Sequence, residues 1–406
     1  MTLLLWALPA ALAVTDPLPG ACPTGSPDPS EALTVYLITA SPGPQPFSFI
    51  GHSSLWLRDG ATGLDHVWEY GVIDSSKQEP LSSLLLGTLN CSWQVRPVRR
   101  EARDYVRQQR TAVAHLLDLS PAARADVRAA LQVIARDLDR TDRFHWRTNS
   151  CATKVRDVVA ASLDGAVQRA LSGPAPLTPH DDVMRHVAPV PWAWLGLKLA
   201  AGAPTDAPQT WWQAGFVPVR LLEGLQQVEV AGGAPLVGPP CTLAEGPNRW
   251  PPPAAPDRTG LMWAAGLGLA GALTGLGAAG RRAAAPRALG GVLIAAFGLV
   301  FGLVGTLTLT LWGASALDDF GPNQTALLAH PLTLALVPFG LAWARGRTPW
   351  GARPITLALA ALGAASLALA LMPMWPQAAL DRVGLLWPPL LAAALWARWY
   401  DRPPSG

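Results

Sequence analysis

The sequence predicts an α+β extracytoplasmic domain followed by an all-α transmembrane bundle. Three observations carry that expectation. Half of the 406 residues are hydrophobic and only 15% are charged, less charge than ordinary soluble domains carry. The apolar surplus collects after Leu261, while the chain opens on a short apolar run, MTLLLWALPAALA. Between these ends, short alternating segments typical of strands are interleaved with patterns of helical period. A net charge of +3, with no basic stripe interleaved with aromatics, argues against nucleic acid as a partner.

Residues 1–13 read as a signal peptide cleaved near Ala13, where small residues recur two apart, although a basic leading region is lacking. An uncleaved anchor is the alternative. From Leu261 onward, apolar stretches near 261–280, 288–313, 325–344, 354–373 and 383–399 suggest about five spans, each near the ~20 residues needed to cross the hydrocarbon core. Pro388-Pro389 interrupts the last of them. The loops set the orientation. Arg281, Arg282 and Arg287 lie in the first loop, Arg345, Arg347 and Arg353 in the third, and Arg398 and Arg402 at the end. The intervening loops carry Asp318 and Asp319, then Asp381 and Arg382. This positive-inside pattern puts the N-terminal domain outside the cytoplasm. The expected organisation is a signal peptide at 1–13, an extracytoplasmic domain at 14–245, a Pro-rich linker at 246–260 (GPNRWPPPAAPDRTG) and a transmembrane domain at 261–400. The expected setting is a membrane, with the N-terminal domain on its extracytoplasmic side.

In the outer domain, LTVYLITA (33–40) is β-rich, HSSLWLRDG (52–60) alternates and ends in a turn signal, and DHVWEYGV (65–72) follows through a short connection. NCSWQVRPV (90–98) and RTAVAHLLDL (110–119) are further strand candidates. Ser120 followed by Pro121 starts a clear helix. A second helix begins near Ser150 or Cys151 and runs to about Leu163; a third begins after Thr178, with Asp181 placed as in a capping box. The result is a mostly antiparallel sheet with helices on one side.

The chain has four cysteines, and TNSCATKVRD (148–157) places one of them, Cys151, at a helix start. With Asn149 as N-cap, Ser150 and Cys151 become the first helical positions. There, unpaired N–H groups and the positive end of the dipole favour a thiolate. Arg143, Arg147 and Lys154 stand close in sequence. In an oxidising compartment a disulfide is the competing role. Cys22 and Cys241 flank the domain and can pair, leaving Cys91 and Cys151; a Cys91–Cys151 bridge would remove the nucleophile. A thiol nucleophile needs a base. Of seven histidines, His52, preceded by a glycine at a strand start, is the most distinctive, and His66 lies on the neighbouring strand. No histidine–carboxylate set and no C-x-x-C has zinc-ligand spacing, so no metal and no cofactor are expected. Trp192, Trp194, Trp211 and Trp212 are candidates either for an interfacial contact or for core packing.

LITASPGPQPFSFIGHSSLWLRD, then DHVWEYG, then TNSCATKVRD, together resemble the Lnb N-terminal periplasmic domain family. The likeness continues through TPHDDVMRHV and GLKLAAGAPTD and reaches LWGASALDDFGPNQTALLAHPLTL among the spans. It implies a circularly permuted papain-like (NlpC-like) fold in which histidine precedes cysteine. Cys151 would be the nucleophile and His52 its base. Glu69 stands where the family often has asparagine, as the group orienting His52; Asp65 and His66 are rivals for that role. Asn149 and Ser150 are further orienting or oxyanion candidates, with the Cys151 N–H as an oxyanion donor. The implied activity is N-acylation of a lipoprotein amino terminus from a membrane phospholipid, through a thioester on Cys151. An NlpC-like cell-wall peptidase or amidase, and a non-catalytic envelope protein on the same fold, are the alternatives.

Overall fold

The computed structural model describes residues 20–400, apart from 231, 248, 249 and 376. The segment 1–13 lies outside the described residues. Contacts divide the chain into two units. Of the described residues, the first comprises 20–77, Asn90–Ala175 and Gln209–Ala254; the second comprises Gln78–Leu89, Pro176–Pro208 and 255–400.

The first unit is built on a seven-stranded sheet. Its strands are β1 (Thr34–Ala40), β2 (His52–Asp59), β3 (Leu64–Val72), β4 (Asn90–Pro97), β5 (Ala112–Leu117), β6 (Thr141–Arg143) and β7 (Val237–Ala244). The order is β6-β4-β3-β2-β1-β5-β7, and every neighbouring pair is antiparallel. The five central strands match the alternating segments of the sequence; β6 and β7 complete the edges. Helix α1 (Val98–Arg107) covers one face, where Val98 and Tyr105 pack with Ile38, Trp56 and Val67. Two further helices are α2 (Pro121–Ala135) and α3 (Cys151–Ala161). Lys154 of α3 sits over the ring of Tyr70, whose side chain alternates to the face opposite Val67. The sheet therefore carries helices on both faces, because both faces are apolar. A Cys22–Cys241 disulfide ties the N-terminal segment to β7, and Cys91 and Cys151 are unbridged. In this unit Trp211 and Trp212 lie under Arg220 and Arg156, at 5.9 and 3.9 Å.

The second unit is helical. Its helices include α4 (Pro179–Val187), α5 (Pro191–Ala200), α6 (Thr259–Gly280), α7 (Ala284–Ala314), α8 (Ala352–Ala370) and α9 (Leu380–Tyr400). Among the described residues, four segments are long and apolar enough to cross a membrane: α6, α7, α8 and Thr325–Ala344. Thr325–Ala344 is not one continuous α-helix: His330 and Pro331 break it, and a 3-10 turn precedes its second half. The last stretch, α9, is helical throughout its 21 residues in spite of Pro388-Pro389. Its Leu386, Leu390 and Trp396 share a core with Leu273 of α6, Phe297 of α7 and Leu359 of α8. Close approach requires glycine at Gly266, where a side chain would run into the Gly384 carbonyl. The non-spanning segments are tied to the helix ends by polar contacts. Asn323 Nδ2 donates to the Ala200 carbonyl (2.8 Å), Gln377 Nε2 to the Ala201 carbonyl (2.8 Å), and Ser315 Oγ to the Leu85 carbonyl (2.7 Å). Trp192 is 67% exposed whereas Trp194 is buried.

Candidate active site

The site assembles where the start of β2 meets the start of α3. Gly51 precedes His52 with φ +97°, and a side chain there would press on the Ala40 carbonyl at 2.7 Å. Only glycine fits that turn, so the chain enters β2 with His52 as its first residue. The His52 side chain is 20% exposed, and its Nε2 lies 3.1 Å from Glu69 Oε2 on the adjacent strand.

Glu69 is itself held. The β3–β4 register sets Gln94 opposite Glu69 and Arg96 opposite Val67; two residues apart on a strand, Gln94 and Arg96 share a face. Gln94 Nε2 donates to Glu69 Oε1. Arg96 Nε forms an ion pair with the same oxygen at 2.9 Å. The guanidinium also meets Glu101, and Asp104 at 2.9 Å, both from α1. Arg96 is thus a hub: one cation fixed by two α1 carboxylates and presented to a third.

Cys151 is the first residue of α3. Its sulfur is a hydrogen-bond partner of His52, and the backbone N–H groups of Ser53 and Ala152 donate to it. With Nε2 on Glu69, Nδ1 is the ring nitrogen left for the sulfur. The helix N-cap is Ser150 rather than Asn149. Ser150 and Thr153 form a capping box in which the Ser150 N–H donates to Thr153 Oγ1 at 2.7 Å. Serine followed three residues later by a hydroxyl satisfies two terminal donors reciprocally, which moves the helix start one residue on. Asn149 braces the preceding loop, donating from Nδ2 to the Arg143 carbonyl at 2.7 Å. Its backbone pairs with that of His145. The Ser150 N–H is committed to Thr153, whereas the Cys151 N–H lies at the first helical position, where a backbone donor has no intrahelical partner.

The electrostatics are cooperative. Burial alone would lower the His52 pKa, but the adjoining Cys151 sulfur, and then Glu69, outweigh it and push the ring up to about 10. Burial alone would raise the Cys151 thiol; the His52 charge and hydrogen bond, then the two backbone N–H groups, bring it below the ordinary thiol value. Burial also opposes ionisation of Glu69, and His52, Arg96 and Gln94 together hold its carboxyl low. The favoured state is a thiolate–imidazolium pair backed by a carboxylate. The local basic residues contribute elsewhere: Lys154 pairs with Asp142 at 2.9 Å.

The rivals for the orienting role face other partners. Asp65 accepts from Trp56 Nε1 at 2.8 Å and lies 3.8 Å from Arg58. His66 sits edge-on to Trp68, centroids 6.4 Å apart. They stand three and four residues along β3 from Glu69, roughly 10–13 Å at strand rise. Sequence reasoning missed Gln94, Arg96 and the Ser53 N–H. The i, i+2 pair of polar residues in NCSWQVRP was the available signal for the first two.

A cysteine at a helix start, a histidine opening a strand and a carboxylate on the next strand thus come together, in a chain that also carries helices long and apolar enough to cross a membrane. Residues 25–188 match the family model of the Lnb N-terminal periplasmic domain, and this part of the chain is such a domain. It is therefore a periplasmic domain of a membrane protein. No curated protein and no solved structure matches the chain.

Proposed function

We propose that the protein is a cysteine-dependent acyltransferase of the inner membrane that N-acylates lipoproteins from a phospholipid donor. The observation that carries this reading is the Glu69–His52–Cys151 line, with its charged imidazole and acidified thiol. The Cys151 thiolate attacks an ester carbonyl of the phospholipid. The oxyanion forms against the Cys151 N–H, and the His52 imidazolium protonates the departing glycerol oxygen, releasing a lysophospholipid. The acyl chain stays on sulfur as a thioester. The α-amine of a lipoprotein N-terminal cysteine then attacks; neutral His52 takes its proton, and the thiolate leaves. Splitting one acyl transfer into two steps lowers each barrier. Four apolar segments suited to crossing a membrane keep the domain among lipid substrates, which turns a bulk search into a local one.

The test is to incubate the full-length protein with phospholipid and follow its intact mass. An acyl adduct that appears on the native chain, is absent from Cys151→Ala and is discharged by a diacylglyceryl-cysteine peptide is the expected result. Absence of any adduct, with cleavage of wall peptides instead, would overturn the reading in favour of an NlpC-like hydrolase.

A further inference from the structure

The second unit contains a cavity of about 210 Å³ whose lining includes His180, Trp194, Lys198, Asp257, Arg258 and Asp381. Arg258 immediately precedes α6, and Asp381 lies in the first turn of α9. The arginine-rich loops mark the opposite ends of these helices as cytoplasmic, so the cavity opens at the periplasmic membrane surface. Trp192, on α5 with Trp194 and Lys198, is largely exposed, as suits an aromatic at a lipid interface.

The lining is charged in both senses. Lys198 Nζ donates to Asp381 Oδ2 at 2.9 Å and to His180 Nε2 at 3.2 Å, leaving one of its three donors for a ligand. Burial first, then the charges of Lys198 and Arg382, push His180 down to about 2, so this ring is neutral. Arg258 is stacked at 4.6 Å over Trp194 and donates from Nη2 to the Ala188 carbonyl at 2.8 Å, which leaves donors of its fork uncommitted. Asp257 Oδ1 accepts from the Thr259 N–H at 2.8 Å, and its carboxylate is exposed. Asp181 also lines the cavity. Two cations thus line the cavity with three carboxylates, Asp181, Asp257 and Asp381, the last of them paired with Lys198 and 3.9 Å from Arg382.

We infer that this cavity binds the phosphoethanolamine headgroup of a membrane lipid, with the phosphate on Lys198 and Arg258 and the ammonium on the carboxylates. Charge selects the ligand. A purely anionic headgroup would satisfy the cations and leave the carboxylates facing a like charge. A quaternary ammonium offers the carboxylates no N–H donor, and the Trp194 face is already taken by Arg258. The volume, below the ~300 Å³ at which pockets for whole drug-sized molecules begin, suits a headgroup rather than a whole lipid. The site stands apart from the acyl-transfer reading, since holding a headgroup requires no thiol chemistry.

The test uses native mass spectrometry of the full-length Cys151→Ala protein, which forms no acyl adduct. It is offered phosphatidylethanolamine, phosphatidylglycerol and phosphatidylcholine of identical acyl chains. Retention of the ethanolamine lipid on the order of tenfold over the others, about 1.4 kcal/mol, is expected. Arg258→Gln, at a partly exposed position, and Asp257→Asn, at an exposed one, should each erase most of that preference while the protein still unfolds in one cooperative thermal transition, and soluble phosphoethanolamine should compete. Equal retention of the three lipids, or a preference that survives both substitutions, would overturn the assignment. So would competition by soluble phosphoethanolamine without lipid retention, which would point to a soluble ligand. Because the readout ignores acyl transfer, failure here and failure of the proposed reaction are separable.

Discussion

Cys91 on β4 and Cys151 at the head of α3 are unbridged thiols of the same sheet unit, and their acidities are pushed in opposite directions. Burial, and secondarily the charge of Cys151, drives Cys91 up to about 12. Cys151 is also penalised by burial, yet it ends below the ordinary thiol value because His52 and two backbone N–H groups compensate for it. Burial therefore makes an inert thiol by default. A lowered thiol pKa has to be built, and here it comes from a neighbouring strand and a helix turn meeting at one atom.

Removing the imidazole is the sharpest way to collapse this difference. In His52→Ala, Cys151 keeps its burial and its two N–H donors but loses the largest compensating charge. Its alkylation by iodoacetamide at pH 7, read by peptide mass spectrometry, should fall on the order of 10²-fold, towards the rate of Cys91. In the native chain the sign is the reverse. With the thiol lowered and the imidazole raised, the ion pair persists from the Cys151 titration up to about pH 10. Cys151 should then alkylate at pH values below the ordinary thiol titration, while Cys91 stays unmodified across the same range. Equal rates for the two thiols in the native protein would break the comparison.

A smaller change should follow from Glu69→Gln, which keeps a hydrogen-bonding group beside His52 and removes its charge. The imidazolium is then less stabilised, so it stabilises the thiolate less. Titration of Cys151, followed by the ultraviolet absorbance of the thiolate, should move up by about one pH unit, or 1.36 kcal/mol. A titration that stays in place would mean that Glu69 orients the ring without tuning it.

The legibility of these parts in the sequence divides along the same line. Local patterns reveal the central strands and the α2 and α3 starts, since alternation, caps and glycine punctuation act over a few residues; the pairing of Cys151 with His52, 99 positions apart, is implied only by the family resemblance. Glu69 was named, but Asp65 and His66 stood beside it as rivals, because strand sequence alone does not say which residue lies against a histidine on the next strand. Register decides that, and register is a property of two strands. Gln94 and Arg96 were hidden for the same reason: they reach Glu69 across the β3–β4 pair, 25 and 27 positions away in sequence. In the helical unit, the apolar spans were plain, whereas nothing in residues 176–208 announces that they pack with those spans. That packing combines contacts distant in sequence: Leu199 in the core of the spans, the Lys198–Asp381 pair, and the Asn323 and Gln377 amides donating to carbonyls of this segment.

The smallest expected effect tests what the helix start itself contributes. The capping box of Ser150 and Thr153 fixes the turn that carries Cys151, and the sequence alone favoured Asn149 for this role. Ser150→Ala removes one arm of the box and should destabilise the domain by about 1 kcal/mol, visible as a lower melting temperature. Asn149→Ala, which removes no cap, should cost less at the helix start and act through the 145–149 loop. The Cys151 N–H and Ala152 N–H belong to the backbone and survive in both variants. Thiolate stabilisation by a helix end is worth roughly 0.3–1 kcal/mol at exposed sites, less than the charge of an adjoining imidazolium. Cys151 alkylation in Ser150→Ala should therefore stay within about threefold of the native rate, less than half of the tenfold that 1.36 kcal/mol represents. If Ser150→Ala instead slowed alkylation as much as His52→Ala, the helix turn rather than the imidazole would set the acidity of this thiol, and the contrast with Cys91 would belong to α3 alone.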